Sequence, residues 1–251
     1  MTRRLFSVLV MLLVAVSTAA PSARPARSVS IVLVHGALID GSSWRGVYDV
    51  LTQRGFRVAV VQQPLTGFDD DVAATRRVID QQEGPVVLVG HSYGGAVITV
   101  AGTDPKVKAL VYVAGLQPDV GETAGEVAPP KPPADQHLAP SKDGFVFVDP
   151  VHFSEDVAAD LPRAQVDFMA HAQMPVAGAA FSAKMVTAAW RDKPSYAVIA
   201  TQDRALDMER AKWMAQRAGS KVTLVKGSHA VLISQPRAVA RVIEAAARSI
   251  Q

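Results

Sequence analysis

The stretch of sequence that most restricts the fold of this chain lies between residues 86 and 101. An apolar run at residues 86–89, typical of a buried strand, leads into Gly90-His91-Ser92-Tyr93-Gly94, and small and apolar residues with helical character follow. A G-x-S-x-G pattern between a strand and a helix is typical of a sharp turn that holds a serine hydroxyl at the edge of a sheet. Small residues are needed there because the turn is tight and the helix approaches the strands closely. The alternative, a glycine-rich turn with an incidental serine, is disfavoured by this setting.

Strand-like apolar runs alternate with helical patterns along much of the chain, which predicts an α/β fold with a mostly parallel sheet flanked by helices. The predicted strands are residues 30–34, 56–61, 85–89, 107–114, 196–200 and 221–225. The predicted helices are residues 42–54, 69–82, 94–101, 208–219 and about 236–250. A length of 251 residues suits one large domain better than two small ones, and we assign that domain to residues 23–251.

The alternation stops between residues 117 and 193. This segment contains closely spaced prolines, among them Pro129 and Pro130, and short helical patches without a regular cycle of strand and helix. We predict that it is an insertion over one edge of the sheet and that it forms a lid above the ligand pocket.

The N-terminus has the layout of a signal peptide. Arg3 and Arg4 precede an apolar stretch at residues 5–16 that only Ser7 interrupts, and small residues follow. That stretch is short for a membrane span. We predict that residues 1–22 are a signal peptide with its lead-in, cleaved between positions 17 and 23, and that the mature protein is secreted or periplasmic. An uncleaved anchor and a buried N-terminal helix are the alternatives.

Charge and composition narrow the classes of partner. The formal net charge is +3, two of these charges lie in the predicted signal peptide, and no long run of like charges occurs, so no nucleic-acid partner is indicated. The absence of cysteine excludes a thiol nucleophile and a thiolate metal site. No metal-binding histidine pair occurs either, so neither a metal nor another cofactor is predicted. The expected partner is a small molecule, without membrane contact after signal cleavage, and the oligomeric state stays open.

A serine hydroxyl needs a base to become an effective nucleophile. Of the six histidines, His229 directly follows the last predicted strand, so its loop emerges at the carboxyl edge of the sheet, where Ser92 also lies. Asp203 follows the preceding strand at the same edge, and the order Ser, Asp, His is typical of one class of serine hydrolase. Asp119 is the competing acid, whereas Asp207 is expected to cap a helix.

Negative charge that develops on a substrate oxygen needs backbone N–H donors. One should be the N–H of Tyr93, directly after the serine. The other should come from the loop after the first strand, where Ala37 is the best candidate. His35, in the same loop, is expected to have a structural role.

These motifs resemble those of α/β-hydrolase carboxylesterases. The likeness is carried by Val32-Leu33-Val34-His35-Gly36-Ala37, Gly90-His91-Ser92-Tyr93-Gly94-Gly95, Thr201-Gln202-Asp203 and Ser228-His229-Ala230. It is greatest to the branch that contains plant methylesterases and hydroxynitrile lyases. The resemblance implies an α/β-hydrolase fold, a catalytic triad of Ser92, Asp203 and His229, and an oxyanion hole formed by Ala37 and Tyr93.

Two positions favour an esterase within that branch. The lyases carry threonine where this chain has Gly36 and lysine where it has Ala230. A lyase or perhydrolase that uses the same triad remains an alternative, as does a non-catalytic binding protein on the same scaffold.

The predicted lid indicates the substrate class. Its helical patches are apolar, and Arg163 and Lys184 are the main basic residues near them, so an anionic substrate has few partners. We therefore expect a small, neutral, largely apolar carboxylic ester, with one to three of these lid side chains facing it: Val166, Phe168, Met169, Met174, Phe181 and Met185.

Overall fold

A computed structural model describes residues 29–128 and 137–250. The predicted signal peptide lies outside these ranges, as do the prolines at positions 129–133. The strands, in chain order, are β1 Ser30–Val34, β2 Arg57–Val61, β3 Val86–His91, β4 Val107–Val113, β5 Leu138–Pro140, β6 Phe145–Val148, β7 Val176–Ala177, β8 Ser195–Ala200 and β9 Lys221–Val225.

Six strands form the main sheet in the order β2-β1-β3-β4-β8-β9, and every neighbouring pair is parallel. All six are the strands that the sequence predicts, so the predicted fold class is confirmed. Strand β3 runs two residues further than expected. Gly90 and His91 still pair with Tyr112 and Val113 of β4, so the chain leaves the ladder only at Ser92.

The helices cover both faces of this sheet. They are α1 Arg45–Gln53, α2 Phe68–Asp80, α3 Tyr93–Ala101, α4 Ala124–Val127, α5 Pro150–Asp156, α6 Arg163–His171, α7 Met208–Arg217, α8 Val231–Ser234 and α9 Pro236–Arg248. Within the described ranges, no helix combines the length and the apolar character needed to cross a membrane.

Alternating side chains of the strands pack into two separate cores, because successive residues of a strand face opposite sides of the sheet. In β1, Ile31 and Leu33 pack with α1 and α9, whereas Val32 and Val34 pack with α2 and α3. Since the strands are buried on both faces, they read as continuous apolar runs in the sequence. The loops that carry the predicted site residues all leave this sheet at the carboxyl ends of its strands.

Helix boundaries follow local capping. The predicted helix at residues 42–54 opens with a 3-10 turn at Gly41–Trp44, where the Asp40 carboxylate accepts the Ser42 N–H at 2.6 Å. Asp207 caps α7, as predicted, by accepting the N–H of Arg210 at 2.9 Å.

The described parts of the segment at residues 117–193 contain α4, α5, α6 and two 3-10 turns, together with a small antiparallel sheet in the order β5-β6-β7. The sequence did not predict this sheet, because its strands are only two to four residues long. The segment contacts loops at the carboxyl edge of the main sheet. Ala177 donates its N–H to Leu65 after β2, and Ala230 after β9 donates its N–H to Val157.

Candidate active site

Ser92 occupies a sharp turn between β3 and α3. Its backbone adopts φ 51° and ψ −123°, a left-handed φ that is uncommon for a residue other than glycine. The glycines after it permit the turn. A Cβ atom on Gly94 would lie 2.4 Å from the carbonyl oxygen of His35, and one on Gly95 would lie 2.4 Å from that of Leu116. The predicted strand–turn–helix unit is therefore present and holds Ser92 at the carboxyl edge of the sheet.

The structure brings Ser92, His229 and Asp203 into one hydrogen-bonded chain. Nδ1–H of His229 donates to Oδ2 of Asp203 at 2.8 Å. Nε2 of the same ring lies 2.8 Å from Oγ of Ser92. With the proton on Nδ1, Nε2 is free to accept the serine proton, which is the tautomer that a general base requires. The side chains of His229 and Asp203 are only 8% and 3% exposed, so water hardly competes for these bonds.

The Asp203 carboxylate is oriented by its own loop. Oδ1 accepts the N–H groups of Ala205 and Leu206 at 2.9 and 2.8 Å, which leaves Oδ2 directed at His229. The competing acid, Asp119, is engaged elsewhere. Both of its oxygens accept hydrogen bonds from Arg191, which hold the pKa of Asp119 below its ordinary value.

The two predicted N–H donors belong to the residue after Ser92 and to the loop that packs against its turn. Tyr93 is the first residue of α3, so its N–H has no carbonyl partner within the helix. The loop that carries Ala37 packs directly against the serine turn. A Cβ atom on the neighbouring Gly36 would lie 2.9 Å from Cβ of Ser92 and 2.8 Å from Nδ1 of His91. Only glycine at position 36 permits this approach without displacing a neighbour.

His91 has a contact that the sequence did not reveal. Its ring is buried, and Nε2–H donates to the backbone carbonyl of His229 at 2.9 Å. The two imidazole centroids are 4.8 Å apart. Burial lowers the pKa of His91 well below its ordinary value, and the neighbouring His229 acts in the same direction. His91 is therefore a neutral support beneath the loop of His229.

His35 has the structural role that its loop position suggested. Its Nδ1–H donates to the Gly36 carbonyl at 2.8 Å, while Nε2 accepts the Gln63 N–H at 3.0 Å. The Gln63 side chain in turn donates to the His35 carbonyl at 2.7 Å. These bonds join the loop after β1 to the loop after β2.

Asp71 is the second supporting residue that the sequence did not reveal. Asp69, Asp70 and Asp71 all lie in the first turn of α2, but only Asp71 is buried. Its Oδ2 accepts the Tyr93 hydroxyl at 2.8 Å, and its Oδ1 accepts the Leu65 N–H at 2.8 Å. Burial raises the pKa of both Asp71 and Tyr93. The residue after Ser92 is thus anchored to α2 by a buried pair.

The six apolar side chains of the 117–193 segment that were candidates to face substrate fall into three groups. Val166 is buried in a small cluster within the segment, Met185 is buried in the core beside α2 and α3, and Phe168 is exposed. The partly buried residues are Met169, Met174 and Phe181. Of these, Phe181 lies against the Tyr93 ring, with centroids 5.1 Å apart. Among residues 29–128 and 137–250, no cluster of three or more His, Asp or Glu side chains is arranged to hold a metal ion.

Residues 31–242 match the alpha/beta hydrolase family. The chain belongs to this family, which confirms the resemblance that its motifs suggested.

Named relatives in this family are esterases and hydrolases. Over 114 residues the chain is 31% identical to a carbendazim-hydrolyzing esterase of Nocardioides sp. strain SG-4G, covering 40% of this chain and 47% of the relative. Over 103 residues it is 30% identical to methylesterase 8 of Arabidopsis thaliana, covering 35% of this chain and 38% of that protein. These matches span less than half of either relative.

A solved structure extends the comparison to most of the chain. The pyrethroid hydrolase of Sphingobium faniae JZ-2 has a TM-score of 0.72 over 88% of this chain and 98% of its own, with 23% identity. At that identity the likeness shows a common fold alone.

Proposed function

We propose that this member of the α/β-hydrolase family is a serine esterase of the carboxylesterase type. The observation that carries the proposal is the chain of two 2.8 Å contacts from Ser92 through His229 to Asp203. In this scheme Ser92 attacks the ester carbonyl while His229 takes its proton, and His229 then returns the proton to the leaving alcohol. Water, activated by the same histidine, hydrolyses the resulting acyl-enzyme. Asp203 holds the imidazole in the required tautomer and stabilises its protonated form.

The N–H groups of Ala37 and Tyr93 would stabilise the oxyanion of the tetrahedral intermediate. Each such donor contributes a factor of roughly 10²–10³ in rate. The placement of Gly36 supports a hydrolase over a hydroxynitrile lyase, because a threonine at this position would introduce a Cβ atom 2.9 Å from that of Ser92. The alanine at position 230 supports the same choice, since the lyases carry a lysine there.

The proposed substrate is a small, neutral, largely apolar carboxylic ester. Relatives named for carbendazim hydrolysis and as a methylesterase support a small-molecule ester. We assign residues 117–193 as the lid over the pocket, with Met169, Met174 and Phe181 as its side chains that face substrate. Methionine side chains adapt to irregular shapes, so we expect moderate promiscuity. We also propose that residues 1–22 direct export and are removed.

A fluorophosphonate probe and a series of p-nitrophenyl esters test the proposal together. Wild-type protein should be labelled at Ser92 alone and should hydrolyse the acetate and butyrate esters faster than long-chain esters. Ser92→Ala and His229→Ala should each reduce ester turnover by several orders of magnitude. Ser154→Ala removes an exposed hydroxyl from α5 and serves as the matched control.

Labelling of the Ser92→Ala protein would contradict the nucleophile assignment, and full activity of His229→Ala would contradict the base. A panel of cyanohydrins and peracid-forming reactions distinguishes the alternatives. Cyanohydrin cleavage without ester turnover would identify a lyase, and perhydrolysis without ester turnover would identify a perhydrolase. Saturable ligand binding with no turnover would identify a binding protein.

A further inference from the structure

The loop that carries His229 is held from three directions. From the Asp203 loop, the N–H of Gln202 donates to the carbonyl of Gly227 at 3.0 Å. From β3, His91 donates to the carbonyl of His229. The third set of contacts comes from the 117–193 segment and involves the residues on either side of the histidine.

Those neighbours are Ser228 and Ala230, and both bond to the chain just after α5. The Ala230 N–H donates to the Val157 carbonyl at 2.9 Å. The Ser228 N–H donates to Oδ2 of Asp160 at 3.1 Å, and the Ser228 hydroxyl donates to Oδ1 of the same carboxylate. Ser228 itself is only 3% exposed. Asp160 therefore accepts hydrogen bonds from both the backbone N–H and the hydroxyl of the buried residue directly before His229.

We propose that Asp160 is a positioning residue for the catalytic base, and that it acts through Ser228 to fix the loop of His229 against the lid segment. This inference rests on the proposed role of His229. The imidazole must keep both Asp203 and Ser92 in contact, at 2.8 Å each. A displacement of about 1 Å at a reacting group costs on the order of 10²-fold in rate, so a loop that drifts would lose turnover without losing the fold.

A carboxylate suits this task better than a neutral side chain. Its two oxygens accept from the two Ser228 donors at once, whereas an asparagine amide offers only one oxygen. Hydrogen bonds to an ionised acceptor are also roughly twice as strong as neutral ones. Partial burial favours the protonated acid, but the hydrogen bonds from Ser228, together with Ser234 and the backbone N–H of Asp160, outweigh it and hold the pKa of Asp160 below its ordinary value.

The contact also connects the two parts of the site. Val157 packs with Phe153 and Ala230 in a small core of its own, which joins the end of α5 to the His229 loop. A lid that carries Asp160 would therefore set the position of the base whenever it sets the shape of the pocket. Without Asp160 the lid could still cover the pocket, and the His229 loop would keep its bonds to the Val157 carbonyl. It would lose both hydrogen bonds from Ser228 to the carboxylate.

The test compares steady-state hydrolysis of p-nitrophenyl butyrate and the rate of fluorophosphonate labelling in full-length variants. Asp160→Ala should lower kcat on the order of 10–100-fold and slow labelling in parallel, with KM changed less than about twofold. Asp160→Asn keeps one acceptor and should retain a larger share of kcat. Asp167→Asn, a change at an exposed aspartate of α6, is the matched control and should match wild type.

The double variant of Asp160→Ala and Ser228→Ala should be less impaired than the product of the two single effects predicts, because both single variants remove the bond between the Ser228 hydroxyl and the Asp160 carboxylate. The thermal unfolding midpoint of each variant shows whether it folds. Unchanged kcat in folded Asp160→Ala, or a loss confined to KM, would overturn the positioning role. Full activity of His229→Ala would instead overturn the proposed function, and the two failures are therefore distinguishable.

Discussion

Removal of the Tyr93 hydroxyl provides a sensitive test of how the serine turn is supported. Tyr93→Phe keeps the ring that packs against Phe68 and Phe181 and deletes only the donor to Asp71. The Asp71 side chain is fully buried, so water cannot replace the lost bond. The Leu65 N–H remains as its other partner.

The expected cost follows from that geometry. A hydrogen bond to a charged group contributes about 1.5–3 kcal/mol, and leaving a buried polar group without any partner costs about 1–3 kcal/mol or more. Because Asp71 keeps the bond from Leu65, we expect Tyr93→Phe to lower the free energy of unfolding by about 2–3 kcal/mol at neutral pH. The backbone N–H of Tyr93 is a proposed oxyanion donor, so kcat should fall as well, by about tenfold or more.

The loss should also depend on pH. Burial raises the pKa of Asp71, although the bonds from Tyr93 and Leu65 oppose this. When a carboxyl group has a higher pKa in the folded than in the unfolded protein, the free energy of unfolding falls as the pH rises between the two values. Without the Tyr93 hydroxyl the folded-state pKa rises further. The difference in stability between wild type and variant should therefore be smallest near the ordinary aspartate pKa of about 3.9 and grow as the pH rises.

Urea unfolding over a range of pH measures this difference, and Tyr112→Phe is the matched control. Tyr112 is equally buried, but its hydroxyl lies 3.0 Å from the neutral hydroxyl of Thr99. Its removal should cost about 1 kcal/mol, independently of pH in the acid range. Equal losses for the two tyrosines, or a Tyr93→Phe loss that does not grow with pH, would refute the account of Asp71.

Three further predictions concern the acid, the loop after β1 and export. Asp203→Asn should lower kcat by about 10⁴-fold in ester hydrolysis because the imidazole loses its required tautomer. Asp119→Asn should have only a small effect, and a reversal of the two would reassign the acid. Gly36→Ala should lower kcat on the order of 10²-fold, measured beside an unchanged circular dichroism spectrum, because its methyl group displaces the serine turn. N-terminal sequencing of protein from a secreting host should find the first residue between Thr18 and Arg24, whereas an uncleaved chain in the membrane fraction would indicate an anchor.

The main sheet could be predicted from sequence because its strands are buried on both faces. Such strands are continuous apolar runs, and each is followed by glycine, aspartate or another residue typical of turns. The candidate site could be predicted from sequence because of the same parallel sheet. In a parallel sheet the carboxyl ends of all strands share one edge, so residues directly after β3, β8 and β9 are close in space whatever their separation in sequence.

The residues that support the site could not be predicted from sequence in this way. Asp71 shares its helix turn with two exposed aspartates. It faces the interior only because of how α2 is rotated about its own axis relative to the sheet. Asp160 has an unremarkable sequence context, and its importance arises from contact with Ser228, 68 residues later. The small sheet of β5, β6 and β7 escaped prediction because its strands are too short to show a period.

The division between these two sets of residues has a physical basis. The proposed catalytic residues Ser92, His229 and Asp203 must have particular chemical groups, so their identity and spacing are visible in the sequence. The residues that hold them need only place one donor or acceptor correctly, and many residue types at many positions could do so. His91, Asp71 and Asp160 reach the candidate site from a strand, a helix and the 117–193 segment, and each contacts a residue that is, or adjoins, a proposed reacting residue. Two proteins with the same three catalytic groups can therefore differ widely in rate, and the difference would lie in contacts of this second kind.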